Sequence, residues 1–297
     1  MYRWLSAAAS GLGTPQCARK LAAHTLKLAA IVATTELPLA LQRNVMGLLF
    51  PGPVGLAAGF DKHGTLYPSL PPLGFGFAEI GSVIPLPEPQ RSPGLDAVTA
   101  ILACYPCPHP IPLGVSISMN RMTLPERMAD DYLTCMQALW QYADYITINL
   151  GVRAGPDLHQ PEHRTTLRNV LAAAKSKQAS MRAESGLHRP MLVKIDQNRA
   201  DTDNLLACVR DFAFDGLILG GDTHKGEKSV LLANLERAVK VLGVPVISVG
   251  GIRTPQDAAD RLSAGVALVQ VYHGIVEYGP LLPRRINAHL SILAVAS

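Results

Sequence analysis

From residue 46 onward the chain carries a recurring pattern of short, apolar or β-branched runs. They are Val54–Gly59, Phe77–Val83, Leu113–Ser118, Tyr145–Leu150, Met191–Ile195, Gly216–Leu219, Val244–Gly250 and Ala267–Tyr272. Each is nearly continuous rather than alternating, the pattern of parallel strands covered on both faces. Between several of them the apolar period lengthens to that of a helix, over Asp130–Tyr142, Thr165–Glu184, Asp201–Phe212 and Ser229–Leu242. Thr254-Pro255 supplies an N-cap and a proline at the first helical position of another, ending near Ala264-Gly265. Eight strands alternating with helices over about 250 residues predict an α/β fold, a (β/α)8 TIM barrel, placed at residues 43–297. A doubly wound open sheet is the competing pattern, but no Gly-x-Gly-x-x-Gly follows the first strand. Met46–Phe50 is expected to pair with a neighbour and close the barrel floor.

Two stretches depart from this rhythm. Residues 1–42 form a short N-terminal helical extension in which Leu21, Thr25, Leu28 and Val32 lie close to one helix face. Such a face either lies on a membrane surface or packs on the barrel. Pro85–Pro112 holds eight prolines and room for a short helix near Leu95–Cys104. Long irregular loops at the carboxyl ends of barrel strands tend to carry function.

Composition narrows the classes. Of 297 residues, 48% are hydrophobic and 17% charged, enough for a large core. The net charge of +4 comes from well-mixed residues and aromatics are 5%, so a nucleic-acid partner is excluded from the reading. Five cysteines, an odd number, and no secretory signal pattern point to a reducing, cytoplasmic compartment, with a peripheral position on the inner membrane face open through the N-terminal segment. No apolar run reaches the roughly 18 residues of a membrane span.

In such a barrel, chemistry sits at the carboxyl ends of the strands, with phosphate held after strands seven and eight. There the sequence reads Gly250-Gly251 and Tyr272-His273-Gly274. Adjacent glycines let backbone N–H groups approach an anion, although a tight turn alone has the same need. Lys62 and Lys194 stand near the ends of the first and fifth strands, where a cation serves packing poorly and suits a reduced flavin or a carboxylate. Asn149 closes the fourth strand and offers a donor and an acceptor to a planar ring.

These residues fall in ordered motifs: Ala57-Ala58-Gly59-Phe60-Asp61-Lys62, Glu79-Ile80-Gly81-Ser82, Tyr145-Ile146-Thr147-Ile148-Asn149, Val193-Lys194-Ile195, Val249-Gly250-Gly251-Ile252 and Leu268-Val269-Gln270-Val271-Tyr272. Together they resemble the dihydroorotate dehydrogenases, specifically the quinone-linked, membrane-associated class, from about residue 46 to the C-terminus. The resemblance implies FMN as cofactor. It implies a flavin surrounded by Ala58, Gly59, Lys62, Ser82, Asn149 and Lys194, with its phosphate at Gly250, Gly251, Tyr272 and His273. His273 stands where the family usually has Ser, Ser116 where it has a flavin-contacting Asn, and Gly220 where it has Thr.

The substrate half departs further. The family's Asn-x-Ser-Ser-Pro-Asn-Thr, whose second Ser is the catalytic base, stands opposite Asn149-Leu150-Gly151-Val152-Arg153-Ala154-Gly155. The base position is Val152, and of four substrate-holding asparagines only Asn149 is left. Each lost amide forgoes roughly 1–2 kcal/mol, and a lost general base costs roughly 10²–10⁴-fold in rate. Arg153 and Asp222, with Asn149 and Lys62, are the candidate catalytic or substrate-side groups, and His224 follows Asp222. Cys104-Tyr105-Pro106-Cys107 with His109 lacks a second cysteine pair, and Pro161 separates His159 from His163, so no metal is expected. Three readings stand: an FMN-dependent oxidoreductase of CH–CH or related bonds, acting on a different small molecule with a quinone or another electron acceptor; a silent paralogue that binds FMN or serves as a scaffold; and a genuine dihydroorotate dehydrogenase.

Overall fold

The computed structural model describes residues 15–150, 158, 161–197, 202–221 and 228–296. All eight apolar runs are strands: β3 (Val54–Leu56), β4 (Phe77–Val83), β5 (Leu113–Ile117), β6 (Tyr145–Asn149), β7 (Met191–Asp196), β8 (Gly216–Gly220), β9 (Val246–Val249) and β10 (Leu268–Val271). Each pairs in parallel with the next, and β10 returns to β3, so the sheet closes into a barrel. Closure explains the unbroken apolar runs, because one strand face meets the barrel interior and the other the helices.

The interior is filled from below. Strand β1 (Arg43–Val45) turns through Met46-Gly47, both at positive φ, into antiparallel β2 (Leu48–Phe50). This hairpin is the expected floor. Phe50 packs edge-on against Phe77, with ring centroids 5.3 Å apart, and Val45 and Phe50 join Tyr145, Leu192, Ile218, Ile247 and Leu268 in one cluster. Large rings demand small neighbours here: a Cβ on Gly55 would lie 2.3 Å from the Phe77 ring, and one on Gly114 would lie 2.0 Å from that of Tyr145.

The outer helices are α2 (Leu95–Leu102), α3 (Met128–Leu139), α4 (Arg164–Ser185), α5 (Thr202–Asp211), α6 (Lys228–Leu242) and α7 (Pro255–Ser263), followed by α8 (His273–Tyr278) and α9 (Leu282–Ala296). Thr254 caps α7 as expected, in a full capping box with Asp257. The β3–β4 link is made of two short 3-10 turns, Tyr67–Ser69 and Pro71–Leu73, because prolines interrupt it.

Helix α1 (Pro15–Val32) precedes the barrel, and the face of Leu21, Leu28 and Val32, for which a membrane surface and the barrel are both open in the sequence, is not the barrel contact. Ala22 and Leu26 are buried against the barrel, while Leu21, Leu28 and Val32 are 45%, 66% and 83% exposed. Ala23, Ala29, Ala30 and Ala33 flank the contact. Leu26 anchors the contact, and the small side chains around it let the helix approach closely.

Candidate functional site

The carboxyl ends of β4, β5 and β6 present a continuous polar chain. Asn149 Nδ2 donates to Ser82 Oγ at 2.7 Å, and Ser82 Oγ lies 3.0 Å from Ser116 Oγ. The register aligns Gly81 with Ser116, Ser116 with Thr147, and Asn149 with Lys194, so adjacent strands deliver these groups to neighbouring positions. Tyr132 of α3 donates its hydroxyl to the Asn149 carbonyl at 3.1 Å. Ser116 is fully buried, whereas Ser82, Asn149 and Lys194 are half-buried.

One step deeper lies Glu79, with no exposed surface. Its Oε1 accepts from Lys194 Nζ at 3.1 Å, and its Oε2 accepts from Thr147 Oγ1 at 3.0 Å and Gln270 Nε2 at 3.2 Å. The strand-end lysine is therefore ion-paired with a carboxylate of the barrel itself. Its side chain keeps 15% exposure.

Lys62 is built differently. Asp61 is buried, and its carboxylate accepts from the backbone N–H groups of Gly64, Thr65 and Leu66 at 2.9, 3.0 and 2.7 Å, which folds the loop after β3 tightly back on itself. Burial nevertheless leaves the Asp61 carboxyl above the ordinary range, the three N–H donors and His63 pulling the other way. Lys62 Nζ donates to the Gln90 carbonyl in the Pro-rich segment at 2.5 Å. Burial first, then the charges of Arg19 and Arg91, lower the Lys62 pKa. Arg19 reaches from α1 to the Phe60 carbonyl at 2.9 Å, and Arg91 donates to the Met119 carbonyl at 2.8 Å and to Glu88 at 2.9 Å. The N-terminal helix and the Pro-rich segment thus meet at the β3 loop.

On the β3–β10 side, the N–H of Gly59 donates to the Gly81 carbonyl at 2.6 Å, and the Tyr272 ring packs on Phe60 at 5.5 Å and on His273 at 4.8 Å. Ala58 and Gly59 are half-buried and His273 is exposed. Gly250 and Gly251 both take positive φ, 94° and 66°, and a Cβ on Gly250 would meet the Gly221 carbonyl at 2.6 Å. Gly220 ends β8 beside them, paired with Val249. The glycine pair is therefore required by the backbone path itself.

Arg153, Asp222, Val152, His159 and His224 lie outside the described residues. Cys104 and Cys107 are free and exposed, while His109 turns inward to Asp144 at 2.8 Å and the Tyr67 ring. Among the described residues no group of three or more His, Cys, Asp or Glu side chains is placed to hold a metal ion. Glu79, Thr147 and Gln270 had no assigned role in the sequence reading. Their signal was a polar residue inside an otherwise apolar strand run, and only barrel closure shows that the three meet.

A closed parallel barrel with polar side chains gathered at the carboxyl ends of its strands belongs to the class of barrels that carry chemistry on that face. The family model described as dihydroorotate dehydrogenase matches residues 40–93 and 218–293. A dihydroorotate dehydrogenase (quinone) of Chloroflexus aurantiacus is 37% identical over 293 residues, covering 83% of this chain and 81% of its own. That of Nitrosospira multiformis is 34% identical over 284 residues, covering 81% of each. The ligand-free DHODH of Eimeria tenella superposes with a TM-score of 0.81 at 26% identity, covering 96% of each chain. The chain belongs to the dihydroorotate dehydrogenase family of oxidoreductases. Among the described residues no helix is long and apolar enough to cross a membrane.

Proposed function

We propose that the chain is an FMN-dependent oxidoreductase of this family that acts on a small molecule other than dihydroorotate. The observation that carries the flavin part is the polar arc of Ser82, Ser116, Asn149 and Lys194 at the ends of β4–β7. Its chemistry fits the cofactor. Hydroxyls and an amide in a row match the edge of a flat heterocycle, and Lys194 uses one of its three N–H groups on Glu79, leaving donors for a ring that gains negative charge on reduction. Ala58, Gly59 and Lys62 would flank the ring, and Gly220, Gly250, Gly251, Tyr272 and His273 would take the phosphate end. FMN, when bound, supplies a two-electron acceptor there. A silent scaffold has little physical need for two half-buried lysines at the carboxyl ends of barrel strands.

The substrate part rests on the sequence. Val152 at the base position has no side-chain proton to exchange, and Arg153 and Asp222 are charged groups in the segments that follow β6 and β8 in sequence. The stretches matched by the family model flank residues 94–217, which contain the first of these segments.

A quinone is the electron partner that the relatives' names support. A groove of 600 Å³ between α1 and the α8–α9 corner, lined by Ala29, Tyr278, Pro280, Leu281 and Arg285, offers an apolar surface of that kind. Leu28, Ile31 and Val32 stand exposed along α1, which supports peripheral membrane contact through that helix.

The test is the visible spectrum of the purified protein with heat release of its chromophore, followed by anaerobic mixing with dihydroorotate. Expected are stoichiometric FMN and no bleaching by dihydroorotate on a turnover timescale. A colourless protein that takes up no added FMN overturns the flavin part. Rapid bleaching by dihydroorotate overturns the substrate part and restores the ordinary family activity.

A further inference from the structure

Glu79 has no role in the reading above. It lies on β4, whose partners in the sheet are β3 and β5, yet it touches residues of β6, β7 and β10. Only a side chain directed across the barrel interior reaches all three. Both carboxylate oxygens are satisfied, one by the Lys194 ammonium and the other by Thr147 and Gln270. The Glu79 charge is also felt by the buried Tyr145 hydroxyl, whose pKa rises through burial first and Glu79 second.

Burying a carboxylate is costly, and replacing a buried ion pair by packed apolar groups is often neutral or stabilising. A pair kept under the mouth of a barrel therefore calls for a reason beyond stability. Lys194 supplies one, because its two environments are opposed. The strand register sets Lys194 beside Asn149, whose amide joins Ser82, while the lysine's amino group pairs with Glu79.

We propose that Glu79 is a positioning residue, the fixed counter-charge of Lys194, and that it sets how strongly this cation favours negative charge on the flavin ring. The inference rests on the FMN reading. A paired ammonium presents less net charge than a lone one, so Glu79 keeps the bound flavin's potential lower than Lys194 alone would. Thr147 and Gln270 disperse the carboxylate charge through hydrogen bonds, which tempers that compensation.

The experiment uses the FMN-loaded full chain and measures the two-electron midpoint potential against reference dyes. In Glu79→Gln the lone ammonium is expected to raise the ratio of reduced to oxidised flavin at least tenfold at a given potential, a positive shift of about 30 mV or more. Glu79→Asp, which keeps the charge, is expected to return most of the shift. Thr147→Val, which leaves the carboxylate less dispersed, is expected to move the potential the opposite way. A purely structural Glu79 would lower the melting temperature and leave the potential in place, and an unshifted potential in folded, flavin-loaded Glu79→Gln overturns the proposal.

If Glu79→Gln does not fold, Lys194→Met and the double variant Glu79→Gln/Lys194→Met decide the matter. The lone carboxylate of Lys194→Met should give the lower potential of the two, and equal potentials overturn the proposal. A parent protein that binds no FMN fails at the earlier step and overturns the flavin reading, and this inference with it, before any variant is compared.

Discussion

Asp61, Lys62 and Lys194 show how much one side chain's setting matters to what it can do. The Asp61 carboxylate gathers three backbone donors, so Asp61→Ala would strand those of Gly64 and Leu66 inside the protein. The expected loss is on the order of 3 kcal/mol, read by urea denaturation, with Asp61→Asn recovering part of it. Lys62 is a pH matter. Its pKa in the folded protein lies below the ordinary 10.5, through burial and then through Arg19 and Arg91. A lysine shifted down disfavours its charged form in the fold, so its contribution is fully present above 10.5 and is lost as pH falls through the lowered value. The parent should therefore gain stability relative to Lys62→Met as pH rises from neutrality toward 10.5, measured as paired melting temperatures. Arg19→Gln should lift the Lys62 titration toward its ordinary value, followed by NMR of methylated lysines. A titration unmoved by Arg19→Gln would leave burial and Arg91 as the causes.

At the scale of elements, strands were legible and helix faces less so. The eight apolar runs became eight strands because burial on both faces leaves no polar alternation to misread. Thr254-Pro255 marked the start of α7 because the cap is local chemistry. The leucine spacing of α1 left a membrane surface and the barrel both open, and the barrel takes the other face, through Ala22 and Leu26. The polar arc at the strand ends was legible through Ser82, Asn149 and Lys194, but Glu79 was not, since its three partners are 68 to 191 residues away in sequence. The two faces of α1 should separate in experiment. Leu26→Ala, at a fully buried position, is expected to cost roughly 2–4 kcal/mol. Leu28→Glu with Ile31→Glu, at positions 66% and 79% exposed, should leave stability within about 0.5 kcal/mol and abolish binding to liposomes. Undiminished liposome binding in that double variant would remove α1 from the membrane proposal.

Across the whole molecule, the two halves assigned to one ligand stand on different arcs of a closed ring. The arc proposed for the ring spans β4 to β7, the arc proposed for the phosphate spans β8 to β10, and Gly59 after β3 lies between them, bonded to Gly81 and beside Tyr272. A closed barrel has no free edge along which one arc can loosen without disturbing its neighbours, so a ligand spanning both arcs should protect both. Native-state hydrogen exchange can tell this from two independent sites. FMN is expected to slow exchange at Ser82, Ser116 and Asn149 together with Gly251 and Tyr272, and to raise the melting temperature as its concentration rises, by an amount equivalent to about 2.7 kcal/mol at a hundredfold excess over Kd. Inorganic phosphate, which can fill only one arc, should protect Gly251 and Tyr272 and leave the β4–β6 ends unchanged. If FMN protects the phosphate arc alone, the polar chain from Ser82 to Asn149 is a structural brace and the ring lies elsewhere. If it protects the β4–β6 ends alone, the glycine pair is only the turn that its positive φ values require.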